Sequence, residues 1–158
     1  MSRLKLDPRG VLIPCVSCGK TNRVRHSALG ASTRCASCHA ALPAPGEPVE
    51  VPDAASFDAL LSAASLPVVV DFWAPWCGHC RMMAPELDKV ARDAAGEWLV
   101  VKVNTEAVPE LGDRFRIQSI PTLAVFQDGR EVHRAAGARP AADIRAFVSA
   151  HLVSEPAG

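Results

Sequence analysis

A mixed α/β fold, with a central sheet flanked by helices and a small four-cysteine unit ahead of it, follows from three features of the 158-residue chain. Apolar runs at residues 68–73 and 99–103 enclose a segment of helical periodicity, which predicts a right-handed strand, helix, strand unit with parallel strands. A second pair of runs is joined by Asp128-Gly129, a hairpin signal that predicts an antiparallel return over residues 131–135 at a sheet edge. The six cysteines fall into three Cys-x-x-Cys pairs, and the first two pairs occupy a segment poor in large apolar side chains.

The segment Leu42-Pro43-Ala44-Pro45-Gly46-Glu47-Pro48 disfavours regular structure and reads as a semi-rigid linker, dividing the chain into residues 1–45 and 46–158. Beyond it, Asp53 is placed to cap a helix that turns Phe57, Leu60, Leu61 and Ala64 to one side. Val68-Val69-Val70-Asp71-Phe72-Trp73 is apolar on both faces, as a central strand requires. A helix over residues 78–95 follows, with Met83, Leu87, Val90 and Ala94 at three-to-four spacing and Pro85 as an expected kink. Residues 98–103 form the next strand, residues 108–115 a short helix and Leu123-Ala124-Val125-Phe126 another strand. Pro140 suits the first turn of a last helix whose buried face carries Ile144, Phe147, Val148 and Leu152.

Residues 1–45 hold seven Lys/Arg against the single acid Asp7, while the whole chain is formally neutral. The first 14 residues lack the sustained apolar stretch of a secretory signal, and no run is long enough to span a bilayer. A cytoplasmic monomer without membrane attachment is the expectation. In a reducing compartment the cysteines serve metal binding or redox chemistry rather than structural disulfides.

Cys15, Cys18, Cys35 and Cys38 match a four-thiolate zinc ribbon, the pairs separated by enough chain to fold back around one tetrahedral Zn²⁺. So small a segment buries little apolar surface, so its folding is expected to depend on the metal. Cys35-Ala36-Ser37-Cys38-His39 also fits haem attachment, but that reading requires export and leaves Cys15 and Cys18 unexplained. Arg23, Arg25 and Arg34 suggest nucleic-acid contact, yet residues 1–45 contain no aromatic side chain on which a base would stack. His26, His133 and His151 read as isolated surface or packing residues. A third reading makes zinc a sensor, with oxidation of the ribbon thiolates expected to expel the metal, loosen the segment and change substrate access to Cys77.

The third pair, Cys77 and Cys80, lies where a strand turns into a helix, the setting of a redox dithiol. Unpaired amides and the positive end of the helix dipole favour a thiolate at Cys77, which is expected to be exposed. Cys80, one turn on and more shielded, is placed to resolve a mixed disulfide. A buried structural pair or half of another metal site is the alternative, but no further knuckle remains to complete one.

The segment from Val68 through Trp73-Ala74-Pro75-Trp76-Cys77-Gly78-His79-Cys80-Arg81 resembles the active-site region of thioredoxins, and Ile120-Pro121-Thr122 resembles their cis-proline loop. With the four cysteines in front, the whole chain is similar to the zinc-containing thioredoxin 2 class of bacteria. The resemblance implies a thioredoxin fold, disulfide-containing protein substrates and a thioredoxin reductase as electron donor. It implies that Asp71 is a buried carboxylate serving Cys80, that Lys102 lies near it, and that Pro121 takes the cis form beside the dithiol. It places Trp76 on the docking rim and Trp73 beneath the site, and it suggests that Gly137 keeps a surface open for substrate backbone. One departure is the dipeptide Gly78-His79 in place of Gly-Pro, as in protein disulfide isomerase domains. His79 beside the thiolate is expected to make the couple more oxidising. The principal reading is a protein-disulfide reductase; a redox-gated zinc module acting by binding is its rival.

Overall fold

A computed structural model describes residues 4–152 of the chain. Arg3, counted among the cations above, and residues 153–158 of the second segment lie outside that span.

The chain opens with three strands, β1 (Leu4–Asp7), β2 (Gly10–Pro14) and β3 (Thr21–Arg25), paired antiparallel as a meander. Asp7 organises the first turn by accepting from the amides of Arg9 and Gly10 and from the Arg23 guanidinium. The short hairpin β4 (Thr33–Arg34) and β5 (Ala41–Leu42) carries the second knuckle, and β6 (Val49–Glu50) follows the proline-rich stretch. Helix α1 (Ala54–Ala63) is capped by Asp53, whose carboxylate accepts from the Ser56 amide at 2.8 Å, as its position predicts. Strand β7 (Val68–Trp73), helix α2 (Gly78–Asp93) and strand β8 (Leu99–Asn104) form the expected unit, with β7 and β8 parallel. A short helix α3 (Pro109–Arg114) leads to β9 (Thr122–Gln127) and β10 (Arg130–Ala136). Asp128 and Gly129 both take positive φ in the turn between them, and β10 forms the antiparallel edge as predicted. Helix α4 (Ala141–His151) closes the fold, with Pro140 as its N-cap rather than inside its first turn.

The sheet runs β10-β9-β7-β8-β6-β1-β2-β3. Strand β7 is central in chemistry and in place, buried between β9 and β8 along nearly its whole length. Residue parity divides the core. Val68, Val70, Phe72, Val101 and Val103 pack toward Phe57 and Leu60 of α1, while Val69, Val100, Leu123 and Val125 pack toward Met83 and Leu87 of α2 and Ile144 of α4.

The N-terminal segment departs from expectation. Strand β1 pairs parallel to β6, and β6 pairs parallel to β8, so backbone pairing runs without interruption across residue 45. Leu4, Leu6, Val11, Ile13, Val24 and Leu29 belong to the same apolar cluster as Phe57 and Val101. The few large apolar side chains of the N-terminal segment are therefore buried in a core shared with the residues beyond the proline-rich stretch. His133 and His151 are likewise not isolated, since their rings stack 3.8 Å apart against Phe147. His26 is buried with Nε2 3.0 Å from the Asp7 carbonyl oxygen, a packing role as expected.

Candidate active site and metal centre

The carboxyl end of β7 delivers Trp73 to a loop, and α2 begins five residues later at Gly78. Cys77 is the N-cap of α2, and its sulfur accepts from the Cys80 amide at 3.1 Å. No acidic residue occupies the first turn, so nothing there offsets the positive end of the helix. Cys77 and Cys80 are joined as a disulfide. Neither residue is freely exposed, at 6% for Cys77 and 3% for Cys80. The expected openness of Cys77 is thus corrected: what separates the two sulfurs is that Cys77 lines a cleft of about 590 Å³, together with Trp76, His79, Gln118, Ser119 and Ile120.

Because β9 runs antiparallel to β7, its first residues lie beside the active-site loop, with Phe72 opposite Thr122. The Ile120–Pro121 peptide is cis, as the resemblance implies, and the Ile120 carbonyl oxygen lies 3.8 Å from the Cys77 sulfur. Trp76 stands 68% exposed on the rim, while Trp73 packs against the dithiol with Ile120 and Ala74. Gly137 donates its amide to the Pro121 carbonyl at 2.9 Å with φ of +99°, so its backbone conformation requires glycine. A Cβ there would meet no protein atom. The cleft residues Gln118, Ser119 and Thr105 carried no motif that would reveal them in the sequence.

Asp71 is 1% exposed, on the α2 side of β7, with Oδ1 lacking a hydrogen-bond partner among the described residues. Burial pushes its pKa up to about 7, and the Lys102 ammonium pulls in the opposite direction. Lys102 is directly opposite it on β8, and its Nζ sits 4.5 Å from the centroid of the Trp73 ring. His79 is exposed in the first turn of α2 and borders the cleft.

The other four cysteines converge. Their sulfurs all lie within 4.8 Å of one another, with Cys15 to Cys38 and Cys18 to Cys35 both at 3.6 Å. Sulfurs at the corners of a zinc tetrahedron with 2.3 Å bonds stand about 3.8 Å apart, so the cluster fits Zn²⁺ in size. Its two halves repeat one backbone design: Cys15 and Cys35 donate to the carbonyls of Lys20 and Ala40, and Gly19 and His39 donate back to the carbonyls of Cys15 and Cys35. Gly19 and His39 both take positive φ at the equivalent place. Asn22, which no motif marks in the sequence, binds the halves together by accepting from the Ala36 amide and donating to the Lys20 carbonyl.

Electrostatics also favour a cation there. The Cys38 backbone amide, then Asn22, draw the Cys35 thiol down to about 6. Although the Ala40 amide pulls Cys38 down, its sulfur neighbours, led by Cys15, and burial push it up to about 11. Four thiols so close cannot all ionise without a positive centre.

The sequence profile described as thioredoxin matches residues 48–150. The chain belongs to the thioredoxin family. Thioredoxin C-3 from Corynebacterium nephridii is 38% identical over 143 residues, covering 90% of this chain and 96% of that protein. That alignment is longer than residues 48–158 allow, so it takes in part of the cysteine-rich segment. Thioredoxin 1 from Synechococcus elongatus is 44% identical over 98 residues, covering 62% of this chain and 92% of its own. Among solved structures, a mutant thioredoxin from Halobacterium salinarum NRC-1 superposes with a TM-score of 0.63 at 26% identity, over 71% of this chain and 96% of that one. The chain is accordingly a thiol-disulfide oxidoreductase. Among the described residues no helix is long and apolar enough to cross a membrane.

Proposed function

We propose that the chain is a protein-disulfide reductase of the zinc-containing thioredoxin 2 class. The observation that carries this is the placement of Cys77, which caps α2, accepts a backbone amide and alone of the dithiol borders the cleft beneath Trp76. In the reduced enzyme the Cys77 thiolate attacks one sulfur of a substrate disulfide, forming a mixed disulfide and releasing the other sulfur as a thiolate. Cys80 then attacks the Cys77 sulfur, its proton passing to the Asp71 carboxylate, and the second substrate sulfur leaves. Two electrons have moved to the substrate, and the enzyme holds the Cys77–Cys80 disulfide. A carboxyl with its pKa near 7 is suited to that transfer, and Lys102 favours its ionised form. Pro121 holds the Ile120 carbonyl against the attacking sulfur, Trp76 supplies apolar docking surface, and His79 raises the potential by stabilising the thiolate. A thioredoxin reductase returns the electrons, in the cytoplasm, to a monomer.

Cys15, Cys18, Cys35 and Cys38 would hold one Zn²⁺, which would offset half of the charge of four thiolates and tie the β4–β5 hairpin to the meander. The division near residue 45 separates two roles, with a metal-binding segment and a redox segment sharing one sheet. Substitution tests the enzyme reading. Cys77→Ser abolishes reduction of a protein disulfide, and Cys80→Ser accumulates a substrate-linked mixed disulfide on Cys77. Retention of reductase activity in Cys77→Ser refutes it and favours a zinc module acting by binding.

A further inference from the structure

Cross-strand register places four ionisable residues in one row. Lys5 on β1 is opposite Glu50 on β6, Glu50 is opposite Lys102 on β8, and Lys102 is opposite Asp71 on β7. Partners directly opposite in a sheet project from the same face, so the row presents alternating charge, positive to negative twice over. Burial deepens along it: Lys5 is exposed, Glu50 and Lys102 are half-buried, and Asp71 is fully enclosed. The alternate residues Leu4, Leu6, Val49, Val51, Val101 and Val103 fill the apolar core on the opposite face, which fixes the side on which the charges stand.

A cavity of about 280 Å³ opens along this row, lined by Lys5, Glu50, Lys102, Trp73 and Asn104. It lies beyond the cover of α2 and α4, whose inward residues Met83, Leu87, Ile144 and Val148 pack over β7 and β9. The ion pairs within 4.0 Å among the described residues all lie elsewhere. Lys5, Glu50 and Lys102 therefore act on one another through their fields across the cavity, and Lys102 acts on the enclosed Asp71 from the neighbouring strand. Lys102 leans over the Trp73 ring, with the enclosed Asp71 carboxyl opposite it on one neighbouring strand and the half-buried Glu50 opposite it on the other.

We infer that Glu50 and Lys5 are positioning residues for the buried base: Glu50 draws the Lys102 ammonium toward the cavity, and Lys5, supplied by the N-terminal meander, moderates that pull. The inference rests on the reading of Asp71 as the group that takes the Cys80 proton. It gives the N-terminal extension a part in the redox chemistry separate from metal binding. The neighbours of Asp71 leave few competing charges. Leu123 faces it from β9, the inward residues of α2 are Cys80, Met83 and Leu87, and those of α4 are Ile144 and Val148. With Cys80 held in the disulfide, Lys102, Glu50 and Lys5 are the ionisable groups in register with it, and Asp7, farther along β1, is bound to Arg23.

The signs follow from electrostatics. Removing the Glu50 charge relieves repulsion of the Asp71 carboxylate and releases Lys102 toward it, and both effects lower the Asp71 midpoint. Removing the Lys5 charge leaves Glu50 freer to draw Lys102 away, which raises the midpoint. Glu50 and Asp71 stand two strand spacings apart, about 10 Å, and at an effective dielectric of about 40 the direct effect is about half a pH unit.

The test is a carbon-13 NMR titration of the Asp71 carboxyl in the oxidised, zinc-loaded full chain. Glu50→Gln lowers the midpoint by about half a unit, Glu50→Asp retains the parent value, and Lys5→Gln raises it by less. In the Lys5→Gln/Glu50→Gln double variant, the Lys5 effect shrinks to less than half. An unchanged or higher midpoint in Glu50→Gln overturns the inference for both residues. A Lys5 effect of equal size with and without Glu50 overturns the part given to Lys5. Failure of the underlying reading shows separately, as undiminished reductase turnover in Asp71→Asn, since the carboxyl midpoint is read without catalysis.

Discussion

Replacing Asp71 by Asn removes a carboxyl that the fold holds protonated far above its ordinary range, and it should stabilise the protein. In the unfolded chain this group ionises near 3.8, whereas in the fold its pKa is raised to about 7. Between those values the unfolded state has released a proton that the folded state still binds, so stability falls as pH rises through this window and levels off above it. A shift of about 3 units at 1.36 kcal/mol each amounts to about 4 kcal/mol at pH 8. At pH 5 little more than one unit of the window has been crossed, and the penalty is about 2 kcal/mol. Asp71→Asn is therefore expected to gain about 4 kcal/mol at pH 8 and about 2 kcal/mol at pH 5, while resolution by Cys80 slows. Guanidinium unfolding of the oxidised parent and variant, followed by tryptophan fluorescence at both pH values, measures the difference. Titrations elsewhere in the molecule cancel in that comparison. A gain that is independent of pH, or larger at pH 5, would refute the account of Asp71 as a desolvated acid.

Leu6 is 2% exposed in a core shared with α1 and β8, so Leu6→Ala should cost about 2–5 kcal/mol and shift one unfolding transition common to all probes. Separate transitions for the meander and the active-site tryptophans would contradict the continuous sheet. The purified protein should carry one zinc per chain, and Cys38→Ser should lower both zinc content and Tm; an unchanged Tm after zinc removal would count against a structural role. His79→Pro, which the first turn of α2 tolerates, should lower the reduction potential by about 30 mV for each 1.4 kcal/mol of lost thiolate stabilisation. Equilibration with glutathione reads the value, and an unchanged or higher potential would dismiss His79 as a modulator.

Most of the redox segment was legible in the sequence because its signals are local. A β-branched run identifies β7, three-to-four spacing identifies α2, Asp53 identifies the start of α1 and Asp128-Gly129 the edge hairpin. The four-thiol cluster was legible for a similar reason, since each knuckle is a Cys-x-x-Cys turn closed by its own backbone hydrogen bonds. The N-terminal meander was not. Its strands are short, and their partners β6 and β8 are remote in sequence, so alternation in residues 4–25 had no visible core to face.

Spacing along the chain thus determined which cysteines stand together, where the helix that Cys77 caps begins, and which carboxyl lies within the central strand. Tertiary structure decided that the proline-rich stretch returns the chain into the same sheet, that Cys77 meets solvent only through a cleft, and that Lys5, Glu50, Lys102 and Asp71 fall in register. The physical reason is that turns and helix starts are written in neighbouring residues. Strand register is set by the burial of whole faces, and it joins residues that share no local signal.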